Sequence, residues 1–581
     1  MSTTPPTDHA RRTRDDGFAV LVVMAGMTVL MLVLTLVLTY STQTLRTIRD
    51  ARDWNQALMA ADAGVSDYLA RLNADDNYWL TSPDCTNTAM RAPQANGACG
   101  WGASTAVGWL PVPGGDGADF HYDVNTSATA VSGTIQLTVT GRDQGETRTV
   151  QVRLRRGGFG EFLYYTVYET LDPANEAQFG TNNTTAQTRC SKYYWAGRSS
   201  WSGNPCVDIN FITGDVIDGP LHSNDSILMS GRPTFNGTVS TSLPSCKPVN
   251  GVNPAASSCY RAASGGATPV FNKGITYRAE ITMPDSIGDL RQYVASSQPT
   301  PGCLFTGPTR IKLIDDSGPV SKMKVWSPWT RGTLNPGCGT PPLDGDLLTI
   351  PNNNIVIVQD VPSTQTKDAS NTTVPTGSCA AGWIGDGLPL AGTTSTGDFA
   401  QTLSESSCRY GTLYLEGVLE GRLTMAADNN ILITGNLTYK GGRTGTDALG
   451  LIATNSVKIY HPAKCTTYSS GKCTAGTNLN RPVGSTFQDP QVNAAILTLQ
   501  HSFTVQQYQL GSPLGTLNLF GTIAQRYRGP VGTGSISTGY LKHYVYDTRM
   551  RFAPPPYFLD PVRSAWDVKT YGELSPRYGS G

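Results

Sequence analysis

Hydrophobic residues are distributed along the chain in two unlike ways. From Phe18 to Tyr40 they form one run, FAVLVVMAGMTVLMLVLTLVLTY, 23 residues without a charge. A helix rises about 1.5 Å per residue, so the run extends about 34 Å, enough to cross a hydrocarbon layer of roughly 30 Å. The core helix of a soluble protein rarely stays apolar on every face over that length. A secretory signal peptide has a shorter apolar region followed by a small-x-small cleavage motif, and this run is longer and lacks a clear motif. After Tyr40 the pattern becomes one-sided, with Leu58, Ala61, Val65, Leu69 and Leu72 recurring at three- and four-residue steps. The pattern predicts one continuous helix from Phe18 to about Leu72.

Beyond the helix the period falls to two. FHYDVNT, GTIQLTVTG and TRTVQVRLRR alternate apolar and polar positions, with Asp143-Gln144-Gly145 as a turn, and predict a small antiparallel sheet. Gly157-Gly158 then mark a boundary, so the first domain runs from Phe18 to about Arg156. Past it, strand-turn-strand units recur in Gly219–Thr241, Gly421–Gly435, Ala448–His461, Ala494–Tyr508 and Gly515–Gly529. Stacked units of this kind predict rungs of a parallel β-solenoid, each burying one side of its strands against the next, with an irregular β-sandwich as the alternative. The expected fold class is therefore mainly β with one long N-terminal helix, a helix-plus-small-sheet module followed by a large solenoid-like (β-helix) domain. The expected segments are a leader 1–17, the helix 18–72, the sheet 73–156, a first solenoid segment 157–241, a disulfide-tied loop-rich insertion 242–398, a main solenoid segment 399–565 and a tail 566–581.

Composition fits this division. The 581 residues include 62 Gly and 37 Pro, which suit turns and short strands. Lys plus Arg and Asp plus Glu are both 44, so no overall field draws the chain to nucleic acid, and no such partner is expected. The 12 cysteines are Cys85, Cys99, Cys190, Cys206, Cys246, Cys259, Cys303, Cys338, Cys379, Cys408, Cys465 and Cys473, all outside the helix. No CxxC occurs and His is scarce, so zinc or thioredoxin-like spacing is missing and disulfides of an exported chain are expected. Pairing neighbours in order would close six short loops, although the sequence leaves the connectivity open.

Candidate chemistry is sparse. No HExxH or GxSxG occurs, and His222, in PLHSND, reads as a polar turn residue at a rung edge. Asp315-Asp316 and Asp344 with Asp346 are the nearest carboxylate pairs and read as solvated loop charges. Neither a catalytic residue, a cofactor nor a metal site is expected, and the chain reads as no enzyme. Aromatic residues are the better lead: Tyr193, Tyr194, Trp195 and Trp201 lie between Cys190 and Cys206, where they could stack on sugar rings, meet a partner protein or pack against the body.

The start of the chain adds a resemblance. A polar leader, MSTTPPTDHARRTRDD, ends at Gly17-Phe18 and the apolar run begins at once. This junction resembles that of type IV pilins and pseudopilins, and Gln56–Leu72, QALMAADAGVSDYLARL, resembles the AAEAG-type segment of PilX-like minor pilins, with Asp62 in the acidic place. The resemblance implies cleavage between Gly17 and Phe18 by a prepilin peptidase on the cytoplasmic side, with the helix kept in a bilayer or among other pilin-like subunits. Val22 stands where the family usually carries a glutamate, a departure shared by some minor pilins that resemble tip or priming subunits. Gly411–Pro561 is similar to an uncharacterised solenoid-like region that accompanies such N-termini, which implies architecture and no activity. The expected protein is a single-pass envelope or surface protein, its body extracytoplasmic, serving assembly or adhesion. The alternatives are a surface polysaccharide-active enzyme or an adhesin for a glycan or cell-surface protein on the same scaffold.

Overall fold

The computed structural model describes residues 16–75, 78–115, 117–127, 129, 133–179, 184–198, 205–315, 321–333, 335–362, 383–384, 388–389, 398–399, 409–469, 472–480, 486–533, 537–562 and 565–578. It has one long N-terminal helix and a β-rich remainder, which divide into two compact units.

The first unit holds the helix, residues up to Thr126, Ile135–Leu154 and the C-terminal Val568–Gly581. The helix runs Asp16–Ala74 without interruption. Its later part buries Ala57, Ala60, Ala61, Val65, Tyr68 and Leu72, the face set by the three- and four-residue steps, while Leu58 and Leu69 are half-buried at its margin. The helix lies close on a five-stranded sheet because glycines meet it. A Cβ on Gly141 would stand 2.0 Å from the Ala57 carbonyl oxygen, and one on Gly64 2.6 Å from Val139. Sheet order is Leu110–Pro111, Asp119–Asn125, Thr134–Asp143, Glu146–Arg156, Trp566–Leu574. Between the third and fourth strands Gln144 and Gly145 both take positive φ, 48° and 102°, as a tight hairpin requires.

The fifth strand departs from the expectation of a tail at 566–581. Arg148 clamps Glu573 with two bonds of 2.7 Å, the Tyr571 hydroxyl donates to Asp62 at 2.8 Å, and the Tyr578 hydroxyl reaches Asp123. The first unit is thus completed by residues from both ends of the sequence, and the second unit is inserted between its last two strands.

The second unit is built on parallel ladders. In one, Cys303, Val356, Met425, Leu451, Ile496, Ile523, Tyr164, Leu221, Val239 and Ile275 stand in register on successive strands, and all face one apolar core. A second ladder aligns Ile311, Leu415, Ile433, Ile459 and Val505. A third aligns Leu437, Val492, Leu519, Tyr544, Ile217, Phe235 and Phe271. Each fully buried aliphatic residue in such a column contributes roughly 1.5–3 kcal/mol relative to exposure, so the columns are the main stabilising feature of this unit.

The order of the first ladder does not follow the chain. The chain enters in the middle at Tyr164, winds outward to Ile275, crosses to the far end at Cys303 and winds back until Ile523 pairs with Tyr164. The crossing segment carries Met283, Ile287, Leu290 and Val294 over the outer side of the first ladder, against Ile355, Ala426 and Ile452. Two buried ion pairs lie at and beside the join. Arg528 donates to Glu169 at 3.0 Å, with side chains 2% and 0% exposed, and Arg198 pairs with Asp225 nearby. The residues expected as an insertion, 242–398, are therefore spread differently: Ile275–Tyr277, Cys303–Thr306, Thr309–Ile314 and Asn354–Gln359 all supply ladder strands. Short alternating strings such as TRIKLI disappear by eye among Pro and Gly yet need only one rung of length each.

Neighbouring cysteines are joined as Cys85–Cys99, Cys190–Cys206, Cys246–Cys259, Cys303–Cys338 and Cys465–Cys473. Cys379 and Cys408 lie outside the described residues.

Candidate membrane anchor and aromatic loop

Among the described residues the first part of the helix has no packing partner. Its large apolar side chains from Phe18 to Tyr40 are 51–74% exposed, on every face. Between Phe18 and Tyr40 the Ser and Thr side chains are Thr28, Thr35 and Thr39, and each donates back into its own helix: Thr28 to Ala25 at 2.8 Å, Thr35 to Leu32 at 2.9 Å, Thr39 to Thr35 at 2.7 Å. Backbone groups are bonded within the helix and the threonine hydroxyls are satisfied locally, so the segment carries little that would resist transfer into hydrocarbon. It is the one described helix long and apolar enough to cross a membrane, compatible with a single-pass anchor. Gly17 and Phe18 lie in the first turn of this helix, which begins at Asp16, while the leader before it is outside the described residues. Val22 is 56% exposed.

The aromatic loop is tied down from beneath. Asp225 is fully buried and its carboxylate accepts from the backbone N–H of Glu169, Tyr194 and Ser226 and from the Arg198 guanidinium. Burial pushes this carboxyl above its ordinary range, opposed by the guanidinium and the N–H donors. On that base the rings form a row. Trp195 stacks on Tyr193 at 5.0 Å, Tyr193 meets Tyr168 at 5.3 Å, and Tyr168 meets Tyr527 at 5.3 Å. The Tyr193 hydroxyl donates to Glu280 at 3.0 Å, Arg261 covers the Tyr194 ring at 3.6 Å, and Trp195 packs on Leu243, Cys246 and Cys259. Much of the ring surface is therefore taken up by protein neighbours, and half-buried edges are what these side chains present. Trp201 lies outside the described residues. Tyr168 and Tyr527 were not legible as members of this row, since they come from ladder strands outside the loop, Tyr527 far away in sequence.

The remaining candidates are dispersed. His222 is fully buried, with its ring nitrogens on Ser240 and Asn224 at 2.9 and 3.0 Å, and burial lowers its pKa to about 3. Asp344 and Asp346 lie on the Leu343–Thr349 strand, where Asp346 accepts the Asp344 N–H at 2.8 Å. Asp315 is described and Asp316 is not. Among the described residues no three His, Cys, Asp or Glu side chains converge as a metal-holding group.

No protein-family model matches the chain, and no curated protein matches it either. Among solved structures, the competence-associated pilin ComZ from Thermus thermophilus is similar at 14% identity over 90% of this chain and 97% of that one, with a TM-score of 0.25, too low to carry a fold or a role across.

Proposed function

We propose that the chain is a non-enzymatic, minor pilin-like protein of the bacterial envelope. In this reading the leader is removed between Gly17 and Phe18, Phe18–Tyr40 sits in the membrane or among other pilin-like subunits, and a β-solenoid is displayed outside the cytoplasm for assembly or adhesion. One observation carries it: a single uninterrupted helix is exposed and apolar on every face in its first half and packs one face on a sheet in its second. The Gly17-Phe18 junction and the Gln56–Leu72 segment support the same reading from sequence. Registered apolar columns on three parallel ladders support a solenoid over a sandwich, whose sheets would pair antiparallel strands. The inserted second unit is several times the size of an ordinary domain, so a subunit bearing it would crowd a filament in which every position carried one. A tip position or a membrane tether follows.

The test is the N-terminal mass of the protein from its native envelope, with and without a functional prepilin peptidase. A peptidase-dependent start at Phe18 is expected. An intact Met1, or a cut beyond Tyr40, would remove the pilin reading.

A further inference from the structure

One lysine of the second unit stands in an apolar column. Lys542 lies on the Gly539–Tyr546 strand, in register with the fully buried Leu517 and two residues before Tyr544, a core residue of the third ladder. Side chains two apart on a strand share a face. The same spacing brings Asp215, two residues before Ile217, to the neighbouring rung, because Ile217 pairs with Tyr544. The two side chains are 21% and 12% exposed, and Lys542 Nζ is 3.9 Å from Asp215 Oδ2. The ring of Phe211 lies 6.0 Å from the same nitrogen.

This pair is unlike the other buried pairs of the unit. Arg528 meets Glu169 at 3.0 Å and also donates to the carbonyls of Ile209 and Asn210, and Arg198 is hydrogen-bonded to Asp225. Lys542 makes no hydrogen bond among the described residues, since Asp215 at 3.9 Å is out of range. Glu169, the other carboxylate that acts on it, is taken by Arg528. An ammonium with its donors unmatched in such surroundings is costly. Burial accordingly lowers the Lys542 pKa, with Asp215 opposing the fall and Arg528 adding to it.

We propose that Lys542 and Asp215 are joined by an internal amide bond that the folded chain forms unaided. A proton passing from the ammonium to the carboxylate leaves a neutral amine facing a neutral carboxylic acid, the form that low polarity favours. The Lys542 nitrogen then adds to Cγ of Asp215. Negative charge developing on Oδ2 is met by the Ile212 N–H, which donates to that oxygen at 3.0 Å. Oδ1 carries the acid proton and takes a second from the nitrogen, the bond from Cγ to Oδ1 breaks, and one water leaves. The amide remains, with no change of oxidation state. The flexible four-carbon arm has room to close on Cγ, because Lys542 lines a small cavity with Tyr164, Phe211, Gln525, Arg528 and Tyr544.

Such a bond lies where the disulfides do not reach. The described disulfides join cysteines at most 35 residues apart. Lys542 and Asp215 instead stand where late strands pair with early ones, and a tie there restrains most of the unit's chain. The inference concerns the second unit alone and stands whether or not the leader is cut.

The test is peptide mapping by mass spectrometry of the full chain from detergent, after disulfide reduction and trypsin, beside a Lys542→Arg variant that keeps the charge and lacks the amine. The wild type is expected to yield the Asp215 peptide joined to the Lys542 peptide, one water lighter than the two together and uncut after Lys542. The variant is expected to yield the two peptides apart. Wild-type peptides that come apart at full mass, with Lys542 open to trypsin, would overturn the proposal, as would a joined species that survives in the variant.

Discussion

Two halves of one helix meet different surroundings. Residues 18–40 and 57–72 share the same backbone geometry and lie on the same uninterrupted axis. The second half buries Ala57, Ala60, Ala61, Val65, Tyr68 and Leu72 on one side against strands, with polar residues such as Asp62 and Ser66 turned outward. The first half buries nothing and has no polar face. Helix stability in the second half comes from tertiary packing; in the first it must come from whatever solvent accepts apolar surface on all sides. The comparison teaches that the boundary between the stretch exposed on every face and the stretch packed on the sheet lies within a single element, between Tyr40 and Ala57, and not at a loop.

The largest effect expected from breaking the comparison is at the centre of the first half. Placing arginine at both Leu30 and Leu34 costs roughly 5–7 kcal/mol of insertion free energy and should move the chain from membranes to the soluble fraction. Fractionation of the variant beside the wild type checks this, and arginine at Met59, 68% exposed on the second half, should leave partitioning unchanged. Next in size is Gly141→Val, whose side chain would collide with the Ala57 carbonyl. It should destabilise the first unit by about 3 kcal/mol or more, read as an earlier unfolding transition, with membrane partitioning intact. A smaller loss, about 1 kcal/mol, is expected for Asp67→Ala, which removes the acceptor for Arg71 at 2.8 Å and for the Tyr122 hydroxyl at 3.1 Å. The smallest effect is Thr35→Val. Its hydroxyl bonds only to its own helix, so neither partitioning nor unfolding should shift measurably.

The same contrast explains what was legible in the sequence. The helix was readable because its signals are local: an unbroken apolar run, then a three-to-four-residue period. The antiparallel strands around Gln144-Gly145 were readable for the same reason, with a turn signal between two alternating strings. Stack order was not. Gln525 bonds the Tyr164 hydroxyl across a separation of 361 residues, and nothing in either neighbourhood marks the other as its partner. The C-terminal strand was hidden because it lies at a sheet edge, where WDVKTYGEL exposes most of its side chains and loses the apolar alternation of a buried strand. For the aromatic loop the sequence left stacking on sugar, a partner protein and packing on the body open, and in the structure Tyr193 and Tyr194 meet Tyr168, Glu280 and Arg261 above the buried Asp225 and Arg198. His222 read as a polar turn residue because its neighbours are Ser, Asn and Asp; it lies on a ladder strand, fully buried, with Tyr165 stacked on it at 5.8 Å.

The central claim is that Phe18–Tyr40 holds this chain in a membrane while the rest folds outside the bilayer. Flotation of membranes after an alkaline carbonate wash, with the wild-type chain and the Leu30→Arg, Leu34→Arg variant side by side, tests it most directly. The account predicts that the wild type floats with lipid and the variant stays in the soluble layer with its thermal unfolding unchanged. Wild-type chain left in the soluble layer, or a variant that floats as well as the wild type, would contradict it.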